Sequence, residues 1–313
     1  MSEPAGESAA RRTRPAHALP PAVRLRVMQS NDIAGGLRLT RASHWNQLAH
    51  DWEVFLTNSP EGCRVAVDEA GEIVGSVATL RYGAAFSWIS MVLVDPAHRG
   101  NGIGSQLLQE ALRVLDDMAT IRLDATPAGH GVYRRAGFYD EYEIHRMQRV
   151  GEPLPAESPA VQQLVASVKE GPAVRIMQGA DLDEVFGLDR DVFAADRRPL
   201  LEMFREQAPE YAWVSGDTRI DGYLFGRRGY SFQHLGPLVA RDEATARRLL
   251  GACLAAHADR PFIIDVPLRT SWTRLLESLQ FTVQRPFIRM CRGEPCRGER
   301  PHRMFAIGGP EFG

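Results

Sequence analysis

The chain has 313 residues, of which 44% are hydrophobic, and its formal net charge at pH 7 is −2. This length suffices for one large domain or two of ordinary size. The balanced charge gives no general reason to bind nucleic acid, and no run of about 18 apolar residues predicts a membrane span. We therefore expect a globular cytoplasmic protein whose partners are decided by a specific site.

The composition of the N-terminal residues and the spacing of the cysteines give two further predictions. Residues 1–22 are rich in Arg, Pro, Ala and Ser and lack the apolar segment of a signal peptide, so we predict a disordered tail. The cysteines lack the paired spacing of zinc sites, which predicts no metal and a reducing compartment. They are Cys63, Cys253, Cys291 and Cys296.

Alternating and helical patterns then predict a mixed α/β domain with one dominant sheet. Strands are expected at 25–28, 64–67, 73–81, 87–94, 120–124 and 138–147, and helices at 45–56, 102–118 and 129–136.

The sequence also repeats itself. "RVMQSNDIAGGLRL" at Arg26 returns as "RIMQGADLDEVFGL" at Arg175, and later landmarks keep nearly the same offset. Similarity at a fixed offset indicates a duplicated unit. We predict a tail at 1–22, a first domain at 23–150, a linker at 151–172 and a second domain at 173–313. The other matched pairs are Arg99 with Arg241, Asp124 with Asp265, and Arg146 with Arg289.

The stretch "VDPAHRGNGIGSQLL", residues 94–108, carries the strongest chemical signal. Three alternating glycines follow an arginine and open a predicted helix, although glycine costs about 1 kcal/mol in a helix interior. One interpretation is a simple strand-to-helix turn. A second is a dinucleotide-binding loop, but Pro96 separates the strand from the first glycine. A third is a phosphate cradle of backbone amides, which fits the glycines and Arg99 together.

"VDPAHRGNGIG" resembles the coenzyme A loop of the GNAT superfamily of N-acetyltransferases, and "VYRRAGF", residues 132–138, resembles the segment that follows it there. "HWNQLAHDW", residues 44–52, is similar to a bacterial subgroup with two tandem GNAT domains. The resemblance implies a GNAT-like α/β fold, in tandem, and acetyl-CoA as the co-substrate, without a metal.

The resemblance also implies which residues hold acetyl-CoA. The loop amides and Arg99 would bind its pyrophosphate, and the preceding strand end would pair with its pantetheine. A bulge in that strand would free an N–H for the thioester oxygen. These residues are Val92, Leu93, Val94, Arg99, Gly100, Asn101, Gly102, Ile103, Gly104 and Ser105.

Tyr133 stands at the position where the family has a phenol that protonates the departing thiolate; the alternative is an aromatic ring that only packs its helix. Asp124 could orient the acceptor amine or simply cap the turn that follows its strand. An Asp recurs at position 265 of the second copy, so both interpretations stay open.

The family lines its acceptor pocket with the region around residues 44–56. Asp51 or Glu53 could therefore bind a cation or act as the base that deprotonates the amine. Trp45 and Asn46 would contact the acceptor, as would His130 beside Tyr133. Leu48, Trp52 and Leu56 form a helical stripe, which indicates core packing.

The second copy has lost the cradle, because Gly100, Gly102 and Gly104 correspond to Asp242, Ala244 and Ala246. Carboxylates in a first helical turn satisfy the helix dipole and repel phosphate. We therefore expect a degenerate, non-catalytic second domain.

The sequence as a whole predicts an acetyl-CoA-dependent N-acetyltransferase acting on the primary amine of a small molecule, as a monomer or homodimer. Acetylation of a peptide or protein amine is one alternative. A binding module that senses acyl-CoA without turnover is another.

Overall fold

The computed structural model describes residues 23–151, 157–159, 161–162, 164, 166 and 171–313. The tail predicted at 1–22 lies outside the described residues, as does most of the linker predicted at 151–172.

The first copy alternates strands and helices as predicted, with one additional helix. That helix, α1, was missed because Gly35 and Gly36 interrupt its pattern; Gly36 lies against the Trp52 ring, where a Cβ would approach to 2.9 Å. The elements are β1 (Arg24–Val27), α1 (Ile33–Ala42), α2 (Ala49–Asn58), β2 (Arg64–Val67), β3 (Ile73–Tyr82), β4 (Phe86–Val94), α3 (Ile103–Val114), β5 (Thr120–Ala125), α4 (Pro127–Arg135) and β6 (Tyr139–Arg149).

The second copy repeats this order of strands and helices and adds one short strand, β13. Its elements are β7 (Val174–Ile176), α5 (Leu182–Phe193), α6 (Arg198–Gln207), β8 (Trp213–Ser215), β9 (Gly222–Arg227), β10 (Gln233–Ala240), α7 (Glu243–Ala256), β11 (Phe262–Pro267), α8 (Thr270–Ser278), β12 (Thr282–Gly293) and β13 (Met304–Ala306).

The repeated start of each copy folds in the same way. Arg26 pairs with Asp32 in the first copy, with a closest N–O distance of 2.5 Å, and Arg175 pairs with Asp181 in the second at 2.6 Å. Each aspartate also accepts a backbone N–H from the glutamine three residues before it. The sequence repeat is therefore a structural repeat.

One continuous sheet joins the two copies, and their sixth strands are exchanged. The order is β1-β2-β3-β4-β5-β12-β6-β11-β10-β9-β8-β7, and β13 pairs with β10. Thus β12 of the second copy lies beside β5 of the first, and β6 of the first lies beside β11 of the second. Each copy completes its sheet with a strand of the other.

Two buried ion pairs mark this exchange and are related by the repeat. Asp124 on β5 accepts from Arg289 on β12 at 2.8 and 2.9 Å. Asp265 on β11 accepts from Arg146 on β6 at 2.8 and 2.7 Å. The residues of two matched pairs of the repeat, Asp124 with Asp265 and Arg146 with Arg289, therefore form ion pairs across the copies rather than within them.

The core follows the same continuity. One apolar cluster spans both copies and includes Phe55 and Phe312, whose rings stack at 5.4 Å. The other clusters include buried residues of α3 in the first copy and of α7 in the second. Among the helices that the structure describes, none combines the length and apolarity needed to cross a membrane.

Loss of a cross-copy ion pair should destabilise the whole protein. Arg289→Met leaves Asp124 buried without its partner, and breaking a buried pair from one side costs about 3–5 kcal/mol. We expect a fall of that order in the free energy of unfolding, measured by urea titration. The matched variant Arg113→Met, which removes the surface pair with Glu110, should leave the unfolding midpoint unchanged. Equal midpoints for both variants would contradict the structural role of the exchanged pair.

Candidate active site

Strands β4 and β5 separate and open a gap in the first copy. They pair in parallel only at Ser87 with Ile121 and at Trp88 with Arg122. A bulge in β4 lies just beyond, where Met91 has a φ of 51° and its carbonyl accepts the Ser76 hydroxyl at 2.8 Å. The bulge predicted for this strand is confirmed. Residues 92–94 consequently form a strand edge that can pair with an extended ligand.

The glycine loop connects this edge to α3. Gly100 and Gly102 have φ values of 80° and 79°, which favour glycine, and a Cβ on either would project into open space. Among the described residues, none accepts a hydrogen bond from the backbone N–H groups of residues 100–105. A helix N-terminus with free amides and no covering side chains is an anion site.

A groove of about 840 Å³ runs along this loop, and we call it the loop groove. Its described lining contains no carboxylate. It contains all of the residues predicted to hold acetyl-CoA except Asn101, whose side chain instead donates to the His98 carbonyl at 3.2 Å. Three arginines also line it, namely Arg99, Arg135 and Arg285. The groove is therefore suited to a ligand that carries phosphates.

Tyr133 lies at the other end of the loop groove. Gly129, one turn earlier on α4, leaves space for its ring, since a Cβ there would lie 2.8 Å from the ring carbon Cε2. The ring packs edge-on against Phe138, with centroids 6.1 Å apart. Burial raises the pKa of the phenol, so it stays protonated near neutral pH. No described residue hydrogen-bonds its hydroxyl.

Tyr133 also lines a smaller enclosure, of about 50 Å³, which we call the central cavity. Two polar atoms of its lining residues, Gln47 Oε1 and Ser90 Oγ, are buried and lack a hydrogen-bond partner. A ligand with N–H groups could satisfy both atoms. The lining is Trp45, Gln47, Ile89, Ser90, Met91, Val92, Asp124, Thr126, Tyr133, Arg146, Arg285, Phe287, Pro310 and Glu311.

Two residues of the segment "IGGPEFG" at 307–313, Pro310 and Glu311, line the central cavity. The Pro310 carbonyl accepts from Trp88 Nε1 at 2.9 Å, and the Phe312 carbonyl accepts from the Tyr82 hydroxyl. Glu311 accepts from Gln47 Nε2 at 3.0 Å and pairs with Arg227. The second copy thus supplies one wall of a site whose other wall comes from the first.

The surroundings shift the pKa values of the two carboxylates of the central cavity in opposite directions. Burial acts to raise the pKa of Glu311, but Arg227, His234, Arg146 and the Gln47 amide together outweigh burial, so this pKa lies below its usual value. Burial raises the pKa of Asp124 above its usual value despite the Arg289 guanidinium. Burial therefore dominates the pKa of Asp124 but not that of Glu311.

The structure places Asp51 and Glu53 away from the central cavity and the loop groove. The predicted helix begins only at Ala49, so Asp51 falls in its first turn and accepts the Leu48 N–H at 2.7 Å. Its carboxylate is fully buried and pairs with Arg227 at 2.9 Å. Glu53 is exposed and lines a separate recess beside Arg197. Neither residue therefore lines the central cavity or the loop groove.

Of the other residues predicted for the acceptor, Trp45 and Asp124 line the central cavity. Asn46 does not; its amide oxygen accepts the backbone N–H groups of Ser231 and Phe232 and so fixes a loop of the second copy. His130 lies outside both cavities and pairs with Asp140 at 2.9 Å.

In the second copy, the N-terminus of the equivalent helix, α7, is capped by a side chain of the protein. The Asp242 side chain accepts from the backbone N–H of Thr245 at 2.8 Å, and Glu243 pairs with Arg247. The strand gap is also filled: β10 and β11 pair as far as Leu235, and β13 then pairs with Leu238 and Val239. The bulges align Leu238 and Val239 with Leu93 and Val94 of the first copy. In the second copy, β13 therefore pairs with the strand edge that is open to a ligand in the first copy.

Sequence reasoning missed Gln47, Ser90, Arg285 and Glu311. Gln47 and Ser90 belong to no motif, and Glu311 lies in a segment whose role its composition does not reveal. Arg285 was hidden because the chain has 36 arginines, against the single lysine Lys169. The exchanged strand β12 brings Arg285 to the first copy's site, and the segment that follows β13 brings Glu311 there.

Comparison with known protein families agrees with this geometry. Residues 30–138 match the model of the acetyltransferase (GNAT) family, and residues 185–306 match a second model, the acetyltransferase (GNAT) domain. These matches confirm the predicted resemblance and show the domain twice in the chain.

Two curated relatives extend over most of the chain. A holothin acyltransferase from Pseudoalteromonas sp. is 27% identical over 276 residues, covering 87% of this chain and 88% of the relative. The uncharacterized N-acetyltransferase YitH of Bacillus subtilis is 27% identical over 216 residues, covering 67% of this chain and 70% of the relative.

Solved structures share the fold. A putative acetyltransferase from Pyrococcus horikoshii has a TM-score of 0.75 at 22% identity, covering 96% of this chain and 100% of that chain. A tandem GNAT protein from the clavulanic acid biosynthesis pathway has a TM-score of 0.59 at 15% identity, covering 87% and 99%.

Proposed function

The chain belongs to the GNAT superfamily of acetyltransferases and carries the family's domain twice, and from this we propose that its first copy acetylates the primary amine of a small molecule. GNAT acetyltransferases use acetyl-CoA, which supplies the acetyl group as a thioester. The observation that carries the proposal is the central cavity, where a protonated phenol, two carboxylates and two unpaired polar atoms surround one small space.

The residues of the loop groove suit acetyl-CoA. The free amides of residues 100–105 and the Arg99 guanidinium would bind the pyrophosphate. The open strand edge at 92–94 would pair with the pantetheine amides as an added strand does. The bulge at Met91 would turn a backbone N–H toward the thioester oxygen, where negative charge grows during acyl transfer.

Tyr133 is the proposed general acid. It lines both the loop groove and the central cavity, so its hydroxyl stands where the two ligands would meet. Its raised pKa keeps the proton available for the thiolate that leaves.

The polar groups of the central cavity would receive the amine. The Glu311 carboxylate, ionised at neutral pH, would hold the ammonium form, and Gln47 Oε1 would accept one of its N–H groups. Asp124, whose pKa is raised by burial, would take the proton that must leave before the nitrogen can attack.

The enclosure favours a small molecule over a protein side chain. Pro310 and Glu311 close a cavity of about 50 Å³ from the side of the second copy. The name of the Pseudoalteromonas relative states that it acylates holothin, which supports acyl transfer to a defined acceptor.

The direct test is to incubate the protein with acetyl-CoA and a library of small amines while release of the free thiol is followed. Acetylated product, identified by mass, supports the proposal. Tight binding of acetyl-CoA without transfer to any amine would favour a sensor, and transfer only to peptides would favour the protein-acetylating alternative.

Glu311→Gln tests the amine end of the site. A hydrogen bond to a charged group contributes about 1.5–3 kcal/mol, so KM for the amine should rise about 10- to 100-fold. KM for acetyl-CoA should stay the same. The matched variant Glu277→Gln, at an exposed position of α8, should leave both constants unchanged.

Ser90→Ala tests the same site without breaking an ion pair, because it removes a hydroxyl that has no partner in the protein. It should also raise KM for the amine, while the melting temperature stays unchanged. If both variants left the amine kinetics unchanged and Glu53→Gln abolished turnover, the amine would bind at α2 and not in the central cavity.

A further inference from the structure

A second recess adjoins the central cavity. Its volume is about 350 Å³, and we call it the arginine groove because Arg41, Arg146 and Arg285 line it. It shares Trp45, Arg146 and Arg285 with the central cavity. Its described lining contains no aspartate or glutamate, so the positive charge of the groove is not balanced from within.

Arg285 is, with Trp45, common to the loop groove, the central cavity and the arginine groove, and among the described residues it is the only charged one that lines all three. It lies at an irregularity of β12, and its side chain donates to the His44 carbonyl at 3.1 Å. No described carboxylate pairs with it. Burial and the nearby Arg146 lower its pKa, and the Asp265 carboxylate, which acts to raise this pKa, does not offset them.

Arg41 is the second uncompensated cation. Its guanidinium stacks on the Tyr230 ring, 3.6 Å from the centroid, and donates to the Gln47 carbonyl at 2.8 Å. Among the described residues, it too has no carboxylate partner. Arg146 differs, because its charge is balanced by Asp265. The arginine groove therefore contains two guanidinium groups, those of Arg41 and Arg285, that are fixed by hydrogen bonds but pair with no carboxylate among the described residues.

We propose that the arginine groove binds an anionic group of the acceptor, a carboxylate or a phosphate, so that the acceptor is an amine bearing a negative charge. This rests on the acetyltransferase function proposed above and names its substrate class. A guanidinium presents parallel N–H donors that match a carboxylate or phosphate. The acceptor would then span from Arg41 and Arg285 to the Glu311 carboxylate, with its cationic end toward Glu311.

Acetyl-CoA does not account for these cations. Its phosphates would bind at the glycine loop, where the free amides and Arg99 can contact them. Its pantetheine arm is uncharged. The end of the loop groove beside Tyr133, where Arg285 lies, would face that uncharged arm. Arg41 does not line the loop groove.

The experiment compares amino acids with their carboxamides, which lack the negative charge of the carboxylate, and adds aminoalkyl phosphates as acceptors with a different anion. We expect kcat/KM for the anionic members to exceed that of the carboxamides by about 10- to 100-fold, as one charged hydrogen bond implies. The carboxylate and phosphate arms identify which anion the groove prefers. Equal rates for acids and carboxamides would overturn the inference while leaving the acetyltransferase function intact.

Variants connect the preference to the groove. Arg285→Gln should lower the ratio of kcat/KM between acid and carboxamide to near one, and Arg285→Lys should retain part of it. The exposed Arg274→Gln on α8 should keep the wild-type ratio. A raised KM for acetyl-CoA in Arg285→Gln, with the acceptor ratio intact, would assign Arg285 to the co-substrate and overturn the inference.

If no amine is acetylated, calorimetry on the coenzyme A-loaded protein replaces turnover. Amino acids should bind more tightly than their carboxamides, and Arg41→Gln should remove the difference. Failure of the proposed function would then appear as missing product, and failure of this inference as equal binding of the two probes.

Discussion

Tyr133→Phe should lower kcat by about 10²- to 10⁴-fold, the usual contribution of a general acid, while the affinity for coenzyme A changes by about twofold or less. The phenol protonates the leaving thiolate only as the carbon–sulfur bond breaks, so its loss affects the transition state and not ground-state binding. The phenylalanine keeps the ring packing against Phe138. Steady-state kinetics with a good acceptor and calorimetry with coenzyme A measure the two quantities separately.

A matched hydroxyl deletion in the second copy provides the control. Tyr211 is buried and packs against Phe262, and it lines neither the loop groove nor the central cavity. Tyr211→Phe should leave kcat unchanged. If Tyr133→Phe turned over at the wild-type rate while chemistry limits the reaction, Tyr133 would only pack its helix and the proton would have to come from elsewhere.

The parts of the fold that sequence could predict are those with local causes. Gly100 and Gly102 need positive φ values, and Tyr133 follows at a fixed distance from them, so the loop and the phenol were recognisable in order. The repeat was readable because the same local structures recur, as the Arg26–Asp32 and Arg175–Asp181 pairs show.

The exchange of sixth strands could not be predicted in this way. Alternation along β6 and β12 sets which face of each strand is buried but does not choose the neighbouring strand. The repeat did single out Arg146 and Arg289, and a pairing within each copy would satisfy the same pattern. Long-range packing decides that each arginine meets the aspartate of the other copy.

The acceptor residues were the least predictable because they come from distant parts of the chain. Asp51 was predicted as a base because the family lines its acceptor pocket with the region around residues 44–56. The structure begins α2 at Ala49, which turns Asp51 into a capping residue paired with Arg227. Glu311, one of the two carboxylates that line the cavity, lies 260 residues further along the sequence.

Gly102→Asp should weaken coenzyme A binding by at least about 100-fold, because juxtaposing like charges costs several kcal/mol. A side chain at this position would project into open space, so the protein should fold as before. Aspartate also tolerates a positive φ better than most residues. Calorimetry should show one site per chain for the wild type and none that is measurable for the variant.

Two matched variants separate charge from backbone geometry. Gly102→Asn has the same shape and the same tolerance of a positive φ but no charge, so it should bind coenzyme A more tightly than Gly102→Asp. Ala244→Asp makes the same change at the corresponding, exposed position of the second copy, where Asp242 already caps the helix and β13 fills the strand gap. It should leave the affinity and the stoichiometry untouched. Two sites per chain, or equal loss in the first-copy and second-copy variants, would show that the second copy binds the co-substrate as well.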